Sequence, residues 1–161
     1  MSSRAFFRIV TLALLALLSQ SCTRKPEEIA MGSVKCSHCS MIIQDARFEA
    51  QAMTSRGRHL HFDSIECAFS WAAQSGENEV SIWVRDFSRS EQWLTLEDQS
   101  SNYPTAILVR SPRLRSPMGA GIAAFGNPTD AKEAAGRLSG NVEEKSQIIT
   151  FLKKEWAGAN R

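Results

Sequence analysis

The stretch HFDSIECAFSWAAQSG, residues 61–76, changes its period partway along. Its first residues continue RHLHF (58–62), which alternates as a strand does. After Asp63, Ile65, Ala68, Phe69 and Ala72 recur at helical spacing and share one face. Asp63 as N-cap, with Glu66 three residues on, makes a capping-box-like start, and Ser75-Gly76 supplies the stop. Upstream, RFEAQAM (47–53) is another β-prone run, and TSRG between the two runs predicts a hairpin. Downstream, EVSIWVRDF (79–87) reads as a third strand. The order is ββαβ.

The second half looks like a distant copy. TAILVR (105–110) reads as a strand, and SPMGAGIAAF (116–125) as a Gly-rich turn running into another. Asn127-Pro128 opens a helix, with Asn as cap and Pro at its first position, and DAKEAAGRL carries it to Ser139-Gly140. A strand at QIITFL (147–152) is expected to complete this unit. TRKPEEIAMGS (23–33) is polar, carries no period and reads as a flexible tether. The expected class is therefore α+β, with two tandem ββαβ units after an N-terminal signal and tether. In residues, that gives a signal over 1–21, a lipidated N-terminus and tether over 22–34, units over 35–87 and 104–155, and a connecting segment over 88–103.

Arg4 and Arg8, then IVTLALLALL (9–18), then SQSC (19–22) make an export signal. A transmembrane helix needs about 20 apolar residues, twice the length of this run. Ser19 and Ser21 would suit ordinary secretion. A bacterial lipoprotein signal, in which Cys22 takes the lipid, is favoured, because a lone N-terminal thiol before TRKPEE has no evident structural use. Ser19 stands where such signals usually carry Leu or Val. No aspartate follows Cys22, so in a two-membrane bacterium the expected place is the outer membrane, facing the periplasm.

Removing residues 1–21 from the 161 leaves 140, enough for one compact domain or two very small ones. It takes Lys+Arg from 19 to 17, equal to the 17 Asp+Glu. A near-neutral mature chain lacks the electrostatic footprint of a nucleic-acid binder, so no nucleic-acid partner is expected.

With Cys22 spent on lipid, Cys36, Cys39 and Cys67 remain, an odd number for an exported protein. A Cys36–Cys39 disulfide would close little chain and stabilise little. A thioredoxin-like motif wants a strand before it and a helix opening at its first cysteine, and MGSV and SMIIQD suit neither. Zinc would need Cys67, His59 or His61 to complete four ligands without the usual paired spacing. Met41 tips the balance, since a thioether is a poor ligand for zinc and a good one for Cu(I). Cys39-x-Met41 offers thiolate and thioether in one loop. Met118 could add a second thioether; core filling is the commoner use of methionine, but flanking Pro117 and Gly119 make this position less typical of a core.

CSHCSM (36–41), HFDSIECAFSWA (61–72), WVRDF (83–87) followed by Trp93, and SPMGAGIAAF followed by DAKEAA together resemble the NosL family, copper-binding lipoproteins associated with maturation of nitrous oxide reductase. The match covers most of the span 36–136. The resemblance implies tandem ββαβ units and Cu(I) carried outside the cytoplasm. It departs at Ser40, where the family usually has Gly, a residue that permits backbone angles Ser avoids.

The resulting expectation is a Cu(I)-binding chaperone, not an enzyme. Cys39, Met41 and Met118 would hold the metal, with Cys36 and His38 as second-rank ligands. Cys67 is read as a buried small hydrophobe, and Trp71, Trp83 and Trp93 as packing residues. The partners expected are the membrane, through lipid at Cys22, a client copper enzyme such as nitrous oxide reductase, and a membrane transporter complex of the same pathway. The alternatives are a thiol-disulfide oxidoreductase using Cys36 and Cys39, and a zinc-stabilised structural lipoprotein using Cys36, Cys39 and Cys67.

Overall fold

The computed structural model describes residues 24–77, 80–97 and 102–159; the signal and Cys22 lie outside them. Strands β1 (Ala50–Thr54) and β2 (His59–Phe62) form the expected hairpin, with Ala50 opposite Phe62. Helix α1 (Ile65–Ser75) follows, and β3 (Val80–Arg85) returns antiparallel to β1. In the second unit, β5 (Ile107–Arg110) and β6 (Ile122–Phe125) pair antiparallel, α2 (Pro128–Arg137) crosses, and β7 (Asn141–Glu143) returns beside β5. Each unit places its first strand in the middle: β2-β1-β3 in one, β6-β5-β7 in the other. The α+β class and the two ββαβ units are as the sequence predicts.

Three expectations change. The cap of α1 is Ser64, not Asp63: Ser64 is extended, and its hydroxyl accepts from the Cys67 N–H at 3.3 Å. The helix thus starts one residue later, and Glu66 cannot reach back as a capping box requires. Second, QIITFL is not a strand. It belongs to α3 (Lys145–Ala159), where Ile148 and Leu152, four apart, are both buried. Its β-branched residues suggested a strand, whereas β7 had already completed the unit. Third, the connecting segment contributes β4 (Trp93–Thr95), a fourth strand on the outer side of β3 and too short to show a period.

The two units share their interior. On β5 and β6, Leu108, Ile122 and Ala124 face the core built on Phe62, Ile65, Phe69 and Val84, and α3 adds Ile148 and Leu152 there. The alternate residues Val109, Ala123 and Phe125 pack with Ala131, Ala134 and Ala135 of α2. Parallel bridges Asp86–Ala124 and Thr95–Thr105 stitch the sheets together.

Part of the expected tether is fastened to the first sheet. The Glu27 N–H donates to Gln51 Oε1 at 2.9 Å, and Gln51 Nε2 donates back to the Glu27 carbonyl. Arg85 pairs with buried Glu49 at 3.0 Å and with Glu28 at 2.7 Å, and stacks over the Trp93 ring. The Trp93 indole N–H reaches the same Glu28.

The loop between β5 and β6 is drawn tight at its base. The Ser111 N–H bonds the Gly121 carbonyl at 2.9 Å. Gly121 has a φ of +71°, and a Cβ there would lie 2.0 Å from the Ser111 carbonyl oxygen. Gly121→Ala should therefore destabilise the protein by about 2–4 kcal/mol, combining strain and overpacking. Gly119→Ala, at φ +79° but in open space, should cost only about 1 kcal/mol. Urea unfolding midpoints would separate the two, and equal losses would rule out the Ser111 contact as the cause.

Candidate metal centre

The CSHCSM segment folds as a short hairpin. Lys35 bridges Ile42, the Cys36 N–H bonds the Met41 carbonyl at 2.8 Å, and the Ser40 N–H bonds the Cys36 carbonyl at 3.0 Å. Ser40 sits at φ +65°, the left-handed region in which glycine is the easier residue. Serine thus holds this turn at some expense in backbone strain. The hairpin docks on the otherwise open edge of β2: the Ser37 N–H donates to the His61 carbonyl at 2.7 Å, and the His61 N–H donates to Ser37 Oγ at 3.3 Å. Nothing in this segment resembles a helix opening at Cys36.

Docking brings the loop over the junction of β2 and α1. Cys39 Sγ donates to Asp63 Oδ2 at 3.3 Å. With Ser64 serving as the cap, Asp63 is free to face this thiol. Cys67, in the first turn of α1, completes a cluster: Cys36, Cys39, Asp63 and Cys67 offer ligand atoms all within 4.8 Å of one another. All three thiols are free. Asp63 Oδ1 is buried and has no hydrogen-bond partner among the described residues.

The three thiols differ electrically. Cys67 donates its S–H to Cys36, and the backbone N–H groups of Cys39, Asp63 and His38 also face the Cys36 sulfur. Against the opposing effect of burial, these donors hold the Cys36 thiol down from 9.0 to about 6. Burial, with its neighbour Cys36 and its bond to Asp63, pushes Cys39 up to about 11. Cys67, bonded to Cys36 and buried, is raised far above the ordinary thiol range. In the metal-free cluster Cys36 is thus the thiol most readily ionised.

The remaining predicted residues lie on several elements outside this cluster. Met41 and Met118 are 48% and 37% exposed, unlike methionines that fill a core. Met118 sits on the β5–β6 loop, whose Ser116 hydroxyl donates to Glu66 of α1, the residue before Cys67. Burial raises the Glu66 carboxyl above its usual range. His38 is half-buried and adds its N–H to the Cys36 cradle. His59 lies 2.9 Å from Glu27, and burial lowers His61; neither belongs to the sulfur cluster. Trp83 and Trp93 are buried and pack with Met53, and Trp71 leans on Phe62.

Two cluster members carried no metal-ligand role in the favoured sequence reading. Cys67 is buried as expected, yet its sulfur faces two other thiols. Asp63 was read only as a cap. The signal for both was positional: they flank the cap at the one place where the strand gives way to the helix.

Fold and site define a class: a small α+β protein in which a loop and a helix start converge three thiols and a carboxylate, with the Met41 thioether exposed on the same loop, a donor set suited to a soft cation. A family model described as NosL matches residues 28–151, and the chain belongs to the NosL family. Among solved structures, it is similar to the copper chaperone NosL from Shewanella denitrificans, at 18% identity and a TM-score of 0.60, over 76% of this chain and 96% of that one. At that identity the likeness establishes the fold. No curated protein matches.

The thiol order gives a pH signature. Between about 6 and 9.0, folded Cys36 is ionised while the unfolded thiol is not, so stability of the reduced, metal-free protein should rise with pH across that window. From 9.0 towards about 11 the unfolded Cys39 ionises before the folded one, and stability should fall again. Cys36→Ser should remove the rise and the low-pH step in thiolate ultraviolet absorbance. A lowest thiol titrating at the ordinary value would contradict the N–H cradle.

Proposed function

We propose that this protein is an extracytoplasmic Cu(I) carrier that delivers copper by ligand exchange to an exported copper enzyme, nitrous oxide reductase being the first client to test. The observation that carries the reading is the convergence of Cys36, Cys39, Cys67 and Asp63 within 4.8 Å, on a loop that also exposes Met41. Membership of the NosL family and the fold of the Shewanella copper chaperone support it. Cys39, Met41 and Met118 supply sulfur, and Cys36 joins them as the most readily ionised thiol. Thiols must lose their protons to bind metal. The Cys39 S–H already points at Asp63, which offers that proton an acceptor.

Delivery needs no bond chemistry on a substrate. Exposed thioethers bind Cu(I) softly and leave it open to attack by an acceptor's ligand. The carrier is anchored through lipid on Cys22 at the outer membrane, facing the periplasm, where a transporter complex of the same pathway and the client can reach it. A buried thiol cluster also suits zinc, and this keeps the structural-zinc reading as the second one.

Anaerobic titration with Cu(I) against a competing chelator, beside a zinc titration, decides between them. One Cu(I) should bind far more tightly than zinc, and Cys39→Ser should nearly abolish binding, because a hydroxyl is neither soft nor readily deprotonated. Met41→Leu and Met118→Leu keep volume and remove the ligand atom; each should weaken binding by about tenfold, or 1.4 kcal/mol. Tighter zinc binding, unaffected by either methionine, would overturn the carrier. Cell fractionation tests the anchor separately: wild type should sediment with membranes and carry an acyl mass, and Cys22→Ser should move to the soluble fraction. A soluble wild type without acyl mass would remove the anchor from the reading.

A further inference from the structure

Glu66 is fully buried in the first turn of α1, and among the described residues no lysine, arginine or histidine pairs with it. One carboxylate oxygen takes the Ser116 hydroxyl; the other, Oε2, is buried with no hydrogen bond of ordinary geometry among the described residues, while the Ser64 hydroxyl and the Glu66 and Ile122 N–H groups lie near enough to oppose the effect of burial. A half-satisfied buried carboxylate weakens a fold, and a leucine of similar volume would ordinarily serve better there. Its presence asks for a compensating use.

Ser116 supplies the clue. Its hydroxyl also accepts from the Gly121 N–H at 2.9 Å, and its carbonyl accepts from the Gly119 N–H at 3.0 Å. One residue therefore staples both ends of the turn Pro117–Ala120, which exposes Met118. Glu66 holds that staple, and the next residue along the helix, Cys67, belongs to the thiol cluster. The path from the exposed thioether to the thiols runs along the chain from Met118 through Pro117 to Ser116, across the bonded Ser116 and Glu66 side chains, and over one peptide unit to Cys67.

We infer that Glu66 is a positioning residue for the Met118 thioether, locking the second unit's turn at the distance and orientation the sulfur cluster requires. The inference rests on the copper reading and on Met118 as a ligand. Glu66 touches no metal itself; it acts through Ser116. It thereby trades stability of the fold for definition of the site, so the two properties should respond to its removal with opposite signs.

The test is a double-mutant cycle on the full chain, read by Cu(I) competition, thermal unfolding of the metal-free protein and X-ray absorption. Glu66→Leu should keep or raise the unfolding temperature, since it removes a poorly partnered buried oxygen. It should weaken Cu(I) binding by up to about tenfold, no more than removal of the Met118 thioether itself does, and lose one sulfur scatterer as Met118→Leu does. Combined with Met118→Leu, it should weaken binding no further. Glu66→Gln keeps an acceptor for Ser116 and should bind copper as wild type does. If Glu66→Leu does not fold, Ser116→Ala carries the same predictions for copper through loss of a single oxygen. Additive losses, or Glu66→Leu binding copper as tightly as wild type while Met118→Leu does not, would overturn the positioning role alone. Unchanged binding in Met118→Leu would instead overturn Met118 as a ligand, and this inference with it.

Discussion

The hydrogen bond from the Cys67 N–H to the Ser64 hydroxyl fixes where β2 stops and α1 starts, and the site is assembled around that boundary. His61, within edge strand β2, turns its backbone N–H and carbonyl away from β1 and so docks the sulfur hairpin just ahead of that boundary. Giving the cap to Ser64 releases Asp63 toward Cys39. Starting the helix at Ile65 puts Glu66 against the second unit and Cys67 beside Cys36. A cap of this kind contributes about 1 kcal/mol as an isolated bond. Here its position matters more than its strength, because a shift of one residue would re-aim every side chain between 63 and 67.

The docked hairpin also closes a weak point of the sheet. β2 is an edge strand, and exposed edges invite pairing with other chains. The loop occupies it through the Ser37–His61 exchange, so the element that carries the thiols also protects the edge. Structural and chemical roles are therefore joined in one segment, and loosening the loop would expose β2 as well as scatter the sulfurs.

Much of this architecture was legible in the sequence. The hairpin, α1, β3, β5, β6 and α2 follow from period, turn residues and capping, since each buries one clear face. What was missed depended on contacts between distant residues. Ile148 and Leu152 become a helical face only because the first unit's core receives them; read alone, QIITFL favours a strand. β4 is three residues whose pairing is set by Arg85 under Trp93. At the site, sulfur chemistry could pick out Cys36, Cys39, Met41 and Met118. It could not show that Cys67 turns toward them, nor that the low thiol is Cys36, because that ordering comes from backbone N–H groups gathered by the fold. Ser40 shows the reverse case, a departure visible in the sequence whose left-handed backbone the structure makes concrete.

The fastening of Glu27 and Glu28 to the first sheet bears on how far this molecule can roam. Pro26, just ahead of them, is buried in the body, so a lipid at Cys22 would be separated from it by at most the four residues 22–25. Fully drawn out, four residues span roughly 14 Å, about half the hydrocarbon thickness of a bilayer. The body would ride at a fixed, low altitude above the lipid, swivelling but hardly travelling. Any acceptor would have to bring its own receiving site down to that height, so the short leash would select partners by geometry before a single sulfur is exchanged.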